Sequence, residues 1–157
     1  MSVVFYRIDD RLIHGQVMTG WSKVYNSKKI IVVDDATAAN SFLCQVMKMS
    51  VPSDMEVKVC TVEDGPQAIL SDAPESKTIV LTKTPSAMLA LLDGGVPIKE
   101  LNLGGMGYLP GRKAILRNIQ ISSEELEQLQ HIASKGVHVF CQIVHDGKSI
   151  ELNKVKL

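Results

Sequence analysis

No stretch of this sequence is apolar for anything like the roughly 20 residues that a bilayer-crossing helix needs, so it is not expected to span a membrane. Its first residues, Met1-Ser2-Val3, are not a basic segment followed by an apolar region and a small-residue cleavage site, and no secretory signal is expected. An excess of either charge is also missing: 17 basic side chains face 17 acidic ones, without blocks of like sign. A nucleic-acid binder would carry a basic surplus, so that class of partner is set aside. Cysteine is scarce, and Cys44, Cys60 and Cys141 are odd in number and far apart in apolar contexts. That pattern argues against a disulfide framework and lacks the clustering of a metal site, leaving buried thiols in a reducing cytosol. Linkers, low-complexity tracts and internal repeats are lacking too.

What is present suits an ordinary globular chain. Residues 1–157 are read as one domain, 45% hydrophobic and 22% charged, long enough to bury a core without staples. The apolar run Val3–Tyr6 opens the chain as a strand, and Val17, Met18, Trp21, Val24 and Tyr25 predict a helix from Gly15 to Tyr25 that Asn26-Ser27 ends. Ile30–Val33 is a wholly apolar strand of the kind buried on both faces of a parallel sheet. Thr37 or Asn40 can cap a second helix, with Phe42, Leu43, Val46, Met47 and Met49 as its buried face and Pro52 closing it. Met55–Cys60 is the next strand, and Thr61 with Asp64 has capping-box spacing ahead of a helix over Val62–Leu70.

Thr78–Leu81 is a further strand, followed by Thr84 as a cap and Pro85 at the first helical position. That helix ends at Gly94-Gly95, and Glu100–Leu103 is a short strand running into Gly104-Gly105-Met106-Gly107. One short strand is expected within Ala114–Ile121. Ser122 and Glu125 then form a capping box for a helix that Gly136 ends. Val137–Val144 and Ser149–Val155 flank His145-Asp146-Gly147-Lys148, where Asp-Gly signals an antiparallel hairpin. Alternating strands and helices give the fold class: α/β, doubly wound, with a mostly parallel sheet, helices on both faces and an antiparallel C-terminal edge hairpin.

In such sheets ligands bind beyond the carboxyl ends of the strands. There the first loop, Arg7-Ile8-Asp9-Asp10-Arg11-Leu12-Ile13-His14-Gly15-Gln16, sets one histidine among two arginines and two aspartates at a helix N-terminus. Unpaired backbone N–H groups and the helix dipole make an anion the natural guest. His14 is the candidate nucleophile for a phosphoryl group, Arg11 and Arg7 can donate charge-assisted hydrogen bonds to it, and Asp9 or Asp10 can fix an arginine or the imidazole tautomer. Gly15 would let the backbone approach the phosphate. Asp34, Asp35, Lys83, Thr84, Gly104 and Gly105 in the other βα loops are candidate neighbours. Read as bland features, the same residues are surface ion pairs and a solvated histidine. His131, His138 and His145 lack ligand spacing to other metal-binding side chains, so no metal is expected.

The series Arg7-x-Asp9-x-Arg11-x-x-His14-Gly15-Gln16-Val17, with Val32-Val33-Asp34-Asp35, Lys83-Thr84-Pro85, Gly95-Val96-Pro97-Ile98 and Asn102-Leu103-Gly104-Gly105-Met106, covers essentially the whole chain. It resembles enzyme IIB subunits of the mannose/fructose/sorbose family of the bacterial phosphoenolpyruvate-dependent sugar phosphotransferase system. The resemblance implies a phosphoryl relay. His14 takes the group, on Nδ1 in that family, from a phosphohistidine of a IIA protein and passes it to a sugar arriving through the membrane subunits IIC and IID. Arg11 matches the arginine that steadies the phosphoryl group, and Arg7 and Asp9 match the other charged positions. It further implies no cofactor and a cytoplasmic chain held at the inner face of the membrane by IIC and IID; as a departure, no IIA domain is seen before Met1, so a free-standing IIB that docks with its donor is expected. The residues also leave room for a histidine phosphatase, which would have arginine where this chain has Ile13, and for a non-catalytic anion-binding module.

Overall fold

The computed structural model describes residues 2–15 and 20–157. Met1 and residues 16–19 are not described, so the expected roles of Gln16, Val17 and Met18 lie outside the described residues. Strand β1 (Val3–Asp9) is followed by helix α1 (Ser22–Tyr25), β2 (Lys29–Val33), α2 (Asp35–Ala38), α3 (Ser41–Met49), β3 (Glu56–Cys60) and α4 (Gly65–Leu70). Then come β4 (Thr78–Thr82), α5 (Pro85–Asp93), β5 (Glu100–Gly105), β6 (Lys113–Leu116), β7 (Ile119–Ile121), α6 (Ser123–Ser134), β8 (His138–Gln142) and β9 (Ser149–Glu151).

Seven strands form one sheet in the order β3-β2-β4-β1-β5-β8-β9, parallel throughout except for the β8–β9 edge pair. This is the expected mixed sheet. Side chains alternate across it, and two apolar clusters follow. On one face Tyr6, Ile8, Ile31, Val33, Val80, Leu101 and Leu103 pack with Met88 and Leu91 of α5 and Leu129 and Ile132 of α6. On the other, Phe5, Ile30, Val32, Ile79, Leu81 and Phe140 pack with Trp21, Leu12 and Ile13. Helices therefore cover both faces.

Local signals work where the helix ends carry them. Ser122 accepts from the Glu125 amide and Glu125 from the Ser122 amide, closing the expected capping box. Thr84 caps α5 with Pro85 behind it, and Asn40, rather than Thr37, caps α3. The Thr61 expectation is corrected: its Oγ1 accepts from the Asp64 amide in a turn ahead of α4, which begins one residue before Pro66. Ala114–Ile121 is two strands, not one. They form a separate antiparallel hairpin bonded to the end of β5, Met106 donating to the Asn118 carbonyl and Gln120 to the Met106 carbonyl.

The largest departure is α3. Its expected core face is mostly outside: Phe42 is 73% and Met49 75% exposed. No α3 residue is buried, although Met47 packs partly against the second cluster. The apolar arc of this helix is wider than the sheet beneath it, because α3 lies over the β2–β3 edge where the strands run out.

Candidate functional site

Positions 5, 7 and 9 of β1 point to one face of the sheet. Phe5 joins the apolar cluster there, but Arg7 and Asp9 carry charge onto the same face and are both fully buried. A buried ion survives only when paired and hydrogen-bonded, and both are. Arg7 donates from Nη1 to Asn102 Oδ1 at 2.6 Å and to the Gln142 carbonyl at 3.1 Å. Its Nη2 donates to Asp9 Oδ2 at 3.0 Å and to the Ile143 carbonyl at 3.0 Å. Asn102 donates in turn to the Gln142 carbonyl at 3.1 Å. Trp21 covers the cation, with the guanidinium carbon 5.6 Å from the ring centroid, a cation–π distance. Trp21 itself stacks on Phe5 at 4.5 Å and donates from its indole nitrogen to the Ile143 carbonyl at 3.4 Å.

Asp9 gathers the loop that follows. Its Oδ1 accepts from the Arg11 amide at 3.0 Å and from Arg11 Nε at 3.1 Å; its Oδ2 accepts from Arg11 Nη2 at 3.2 Å and meets His14 Nε2 at 2.9 Å. Burial works to raise the Asp9 pKa, but hydrogen bonds from His14 and Arg11 and the charge of Arg7 outweigh it, leaving the carboxyl far below the ordinary range. An ionised carboxylate only accepts hydrogen bonds, so His14 Nε2 is the donor, and in the neutral ring the lone pair is on Nδ1. Burial lowers the Arg7 pKa, opposed by Asp9.

The turn between strand and histidine is tight. The Leu12 amide donates to the Asp9 carbonyl at 2.9 Å, and Leu12 has φ of 55°, in the left-handed region that side chains other than glycine's seldom adopt. Its side chain is buried in the second apolar cluster, which offsets the local cost.

Gly104 and Gly105, expected as candidate neighbours of His14, lie against the buried ion pair. A Cβ on Gly104 would stand 1.9 Å from the Arg7 guanidinium carbon, and one on Gly105 would stand 2.8 Å from Asp9 Oδ1 and 3.1 Å from Arg11 Nη2. The glycine pair is the floor on which the buried ion pair rests. Asp10 ties the same segment from the side, donating from its amide to the Gly105 carbonyl at 3.0 Å and accepting from the Gly107 amide at 2.7 Å. A Cβ on Gly15 would meet nothing within 4 Å among the described residues.

The other expected neighbours stand on the same carboxyl edge, since Ile8 pairs with Thr82 and Thr82 with Val33. Their bonds run elsewhere. Asp34 caps α2, accepting from the Thr37 amide at 3.0 Å and its hydroxyl at 2.7 Å, and lies 3.7 Å from Lys83 Nζ. Asp35 accepts from the Val62 amide, and the Thr84 hydroxyl accepts from the Ala87 amide as a cap. The sequence reading missed Asn102 and the Gln142 and Ile143 carbonyls that hold Arg7. It also missed Arg112, whose guanidinium grips Glu125 at 2.8 and 2.7 Å and donates to the Gly107 carbonyl at 2.8 Å.

Arg7 is therefore fully buried, its terminal nitrogens spent on Asp9, Asn102 and two carbonyls, whereas Arg11, 44% exposed at its side chain, offers its outer edge to solvent. At Asp9 two guanidinium groups face one carboxylate, and the exposed edge of Arg11 is suited to an incoming dianion. No group of three or more side chains that could hold a metal ion occurs among the described residues.

The chain has relatives among known proteins. Residues 3–156 match the family described as the PTS system sorbose subfamily IIB component. The fructose-specific EIIB component of Bacillus subtilis is 33% identical over 138 residues, covering 87% of this chain and 85% of that protein. The mannose-specific EIIAB component of Escherichia coli is 29% identical, and the match spans 88% of this chain but only 43% of that protein. Among solved structures, manxB of Thermoanaerobacter tengcongensis superposes with a TM-score of 0.88 at 35% identity, over 96% of this chain and 92% of that one.

Proposed function

Because the chain belongs to the sorbose subfamily of IIB components of the sugar phosphotransferase system, we propose that it accepts a phosphoryl group on His14 Nδ1 and delivers it to a sugar. The observation that carries this is the 2.9 Å bond between His14 Nε2 and an ionised, fully buried Asp9. It commits one ring nitrogen as a donor and leaves the other as a nucleophile.

In the first half of the relay, the Nδ1 lone pair attacks phosphorus on a phosphohistidine of a IIA-type donor. The P–N bond to the donor breaks and its electron pair returns to the donor imidazole. Phosphorylated His14 then carries about −1.5 to −2 charges, which Arg11 answers from its exposed edge. Each charge-assisted hydrogen bond is worth about 1.5–3 kcal/mol. In the second half a sugar hydroxyl attacks phosphorus, the bond to Nδ1 breaks with its pair returning to the ring, and the hydroxyl proton leaves to solvent. The donor is already activated, so positioning and electrostatics supply the catalysis and the chain needs no cofactor.

Membership of the family supports a choice of partners. A IIA-type donor is supported by the relative named as an EIIAB component, and delivery to a sugar at IIC and IID subunits would place the chain at the inner face of a bacterial membrane. Relatives named for fructose and mannose support an acceptor among the hexoses and their derivatives. Incubation with a phosphorylated IIA protein should label the chain with an acid-labile, base-stable phosphate, and His14→Ala should abolish the label while keeping the fold. Undiminished labelling of that variant would overturn the assignment. Release of inorganic phosphate from phosphomonoesters without any partner protein would favour a phosphatase.

A further inference from the structure

Residues 107–112 connect the end of β5 to β6, and they are built around a turn. The Arg112 amide donates to the Leu109 carbonyl at 3.0 Å, with Pro110 and Gly111 between them and Gly111 at φ of 89°. Proline followed by a left-handed glycine is the type II pattern. The turn brings the Arg112 guanidinium back to the Gly107 carbonyl, to which Nη1 donates at 2.8 Å.

The other edge of that guanidinium is spent on α6. Nε and Nη2 donate to the two carboxylate oxygens of Glu125 at 2.8 and 2.7 Å, a bidentate pair. The two side chains are only 8% and 16% exposed, which sets them apart from surface ion pairs that contribute little. Glu125 also accepts from the Ser122 amide at 2.9 Å, at the capped end of a helix whose Leu129 and Ile132 lie in the core. Burial works to raise the Glu125 pKa, but hydrogen bonds from Arg112 and Ser122 outweigh it and hold the carboxyl below its ordinary range.

Gly107 is gripped from its other side by the His14 loop. Its amide donates to Asp10 Oδ2 at 2.7 Å, a charge-assisted bond, and a Cβ here would stand 3.3 Å from the same oxygen. Asp10 donates from its own amide to the Gly105 carbonyl at 3.0 Å, and its chain neighbours are Asp9 and Arg11. Asp9 is the carboxylate that His14 Nε2 meets at 2.9 Å. A continuous run of bonds thus joins the capped end of α6 to the residue that orients the histidine. With all three nitrogens engaged inside the chain, Arg112 acts on the site at one remove.

We propose that Arg112 is a positioning residue for phosphoryl transfer: braced on Glu125, it fixes Gly107, and through the Gly107–Asp10 bond it holds the His14 loop against Gly105. This goes beyond the phosphoryl-relay reading and rests on it.

The test compares Arg112→Ala, Arg112→Lys and Ser122→Ala with wild type. One arm follows phosphoryl acceptance from a phosphorylated IIA protein, and the other is NMR of the backbone amides and the His14 ring in the unphosphorylated chain. Ser122→Ala removes the cap hydroxyl that the Glu125 amide uses, so it weakens the same helix end and leaves the Arg112 bonds in place. Arg112→Ala should lower the limiting rate at saturating donor about 10- to 100-fold, the scale of a misplaced reacting group. The half-saturating donor concentration should stay within about twofold. The amide signals of Gly107 and Asp10 and the ring signals of His14 should move. Arg112→Lys keeps the charge but not the fork, and should recover part of the rate. Ser122→Ala should melt at lower temperature yet keep the wild-type rate and those signals. A wild-type limiting rate in Arg112→Ala, a change in half-saturation alone, unmoved Gly107 and His14 signals, or an equal slowing by Ser122→Ala would each overturn the proposal. Wild-type protein that takes no label would overturn the relay instead, and the NMR arm would still decide whether Arg112 holds the loop.

Discussion

Replacing Asp9 with asparagine keeps the shape of the side chain and removes its charge. Arg7 would remain fully buried, still bonded to Asn102 and two carbonyls but with no anion beside it. Removing one partner of a buried ion pair costs about 3–5 kcal/mol. At roughly 2–4 °C per kcal/mol for a domain of this size, the melting midpoint should fall by about 6–20 °C. The wild-type pair also sets a pH signature. The Asp9 pKa is depressed in the folded state, so its contribution is complete above the ordinary carboxylate range of about 4 and is lost only as pH falls toward the much lower folded value. Asp9→Asn should lose stability at neutral pH and flatten that acid-side dependence. The same change frees the imidazole to adopt either tautomer, which should slow phosphoryl acceptance by about 10²- to 10⁴-fold. Thermal unfolding by circular dichroism across pH and the rate of His14 labelling measure the two effects separately. A midpoint within about 2 °C of wild type, with labelling at the wild-type rate, would refute the hub role of Asp9.

Two further outcomes concern the surroundings. Gly104→Ala should destabilise by about 1–3 kcal/mol or more, as overpacking does, because its Cβ would lie 1.9 Å from the Arg7 guanidinium carbon. Urea unfolding that shows no loss would show that Arg7 can move aside. His138 lies between Glu100 at 3.0 Å and Glu151 at 2.6 Å on the amino edge, and those hydrogen bonds raise its pKa. Its stabilisation is therefore full below the unfolded value of about 6.5 and lost as pH rises through the folded value. The side chains are half exposed, so His138→Ala should remove less than about 1 kcal/mol, chiefly at the acid end. A larger effect in alkaline than in mildly acidic urea titrations would contradict this.

The order of strands and helices was legible because each element carries its own signal: apolar runs for β2 and β4, Ser122 with Glu125 for α6, Thr84-Pro85 for α5. The facing of α3 was not, since periodicity finds an apolar arc but cannot tell how much sheet lies beneath it, and Phe42 and Met49 overhang the edge. At the site, His14, Arg11 and Asp9 could be picked out as neighbours because they share one loop. The division of labour between the two arginines could not. Arg7 is separated from Asn102 by 95 residues and from the Gln142 carbonyl by 135, contacts created only when β1 lies against β5 and β5 against β8. The strand parity of Phe5, Arg7 and Asp9 was the available hint that charge would be carried into an apolar face. That Gly104 and Gly105 lie against Arg7 and Asp9 was hidden for the same reason, because those side chains come from another strand. The β6–β7 hairpin was hidden because Ala114–Ile121 is short enough to pass for one strand.

Trp21, the sole tryptophan of the chain, lies on the cation that pairs with Asp9. Indole emission responds to nearby charge and to quenching contacts, so the molecule carries its own optical gauge at the place where charge would change on phosphorylation. Ultraviolet excitation of the unlabelled protein thus reads the environment of Arg7 rather than an average over the chain. A donor protein, a sugar phosphate or a denaturant would each be seen first from that one ring.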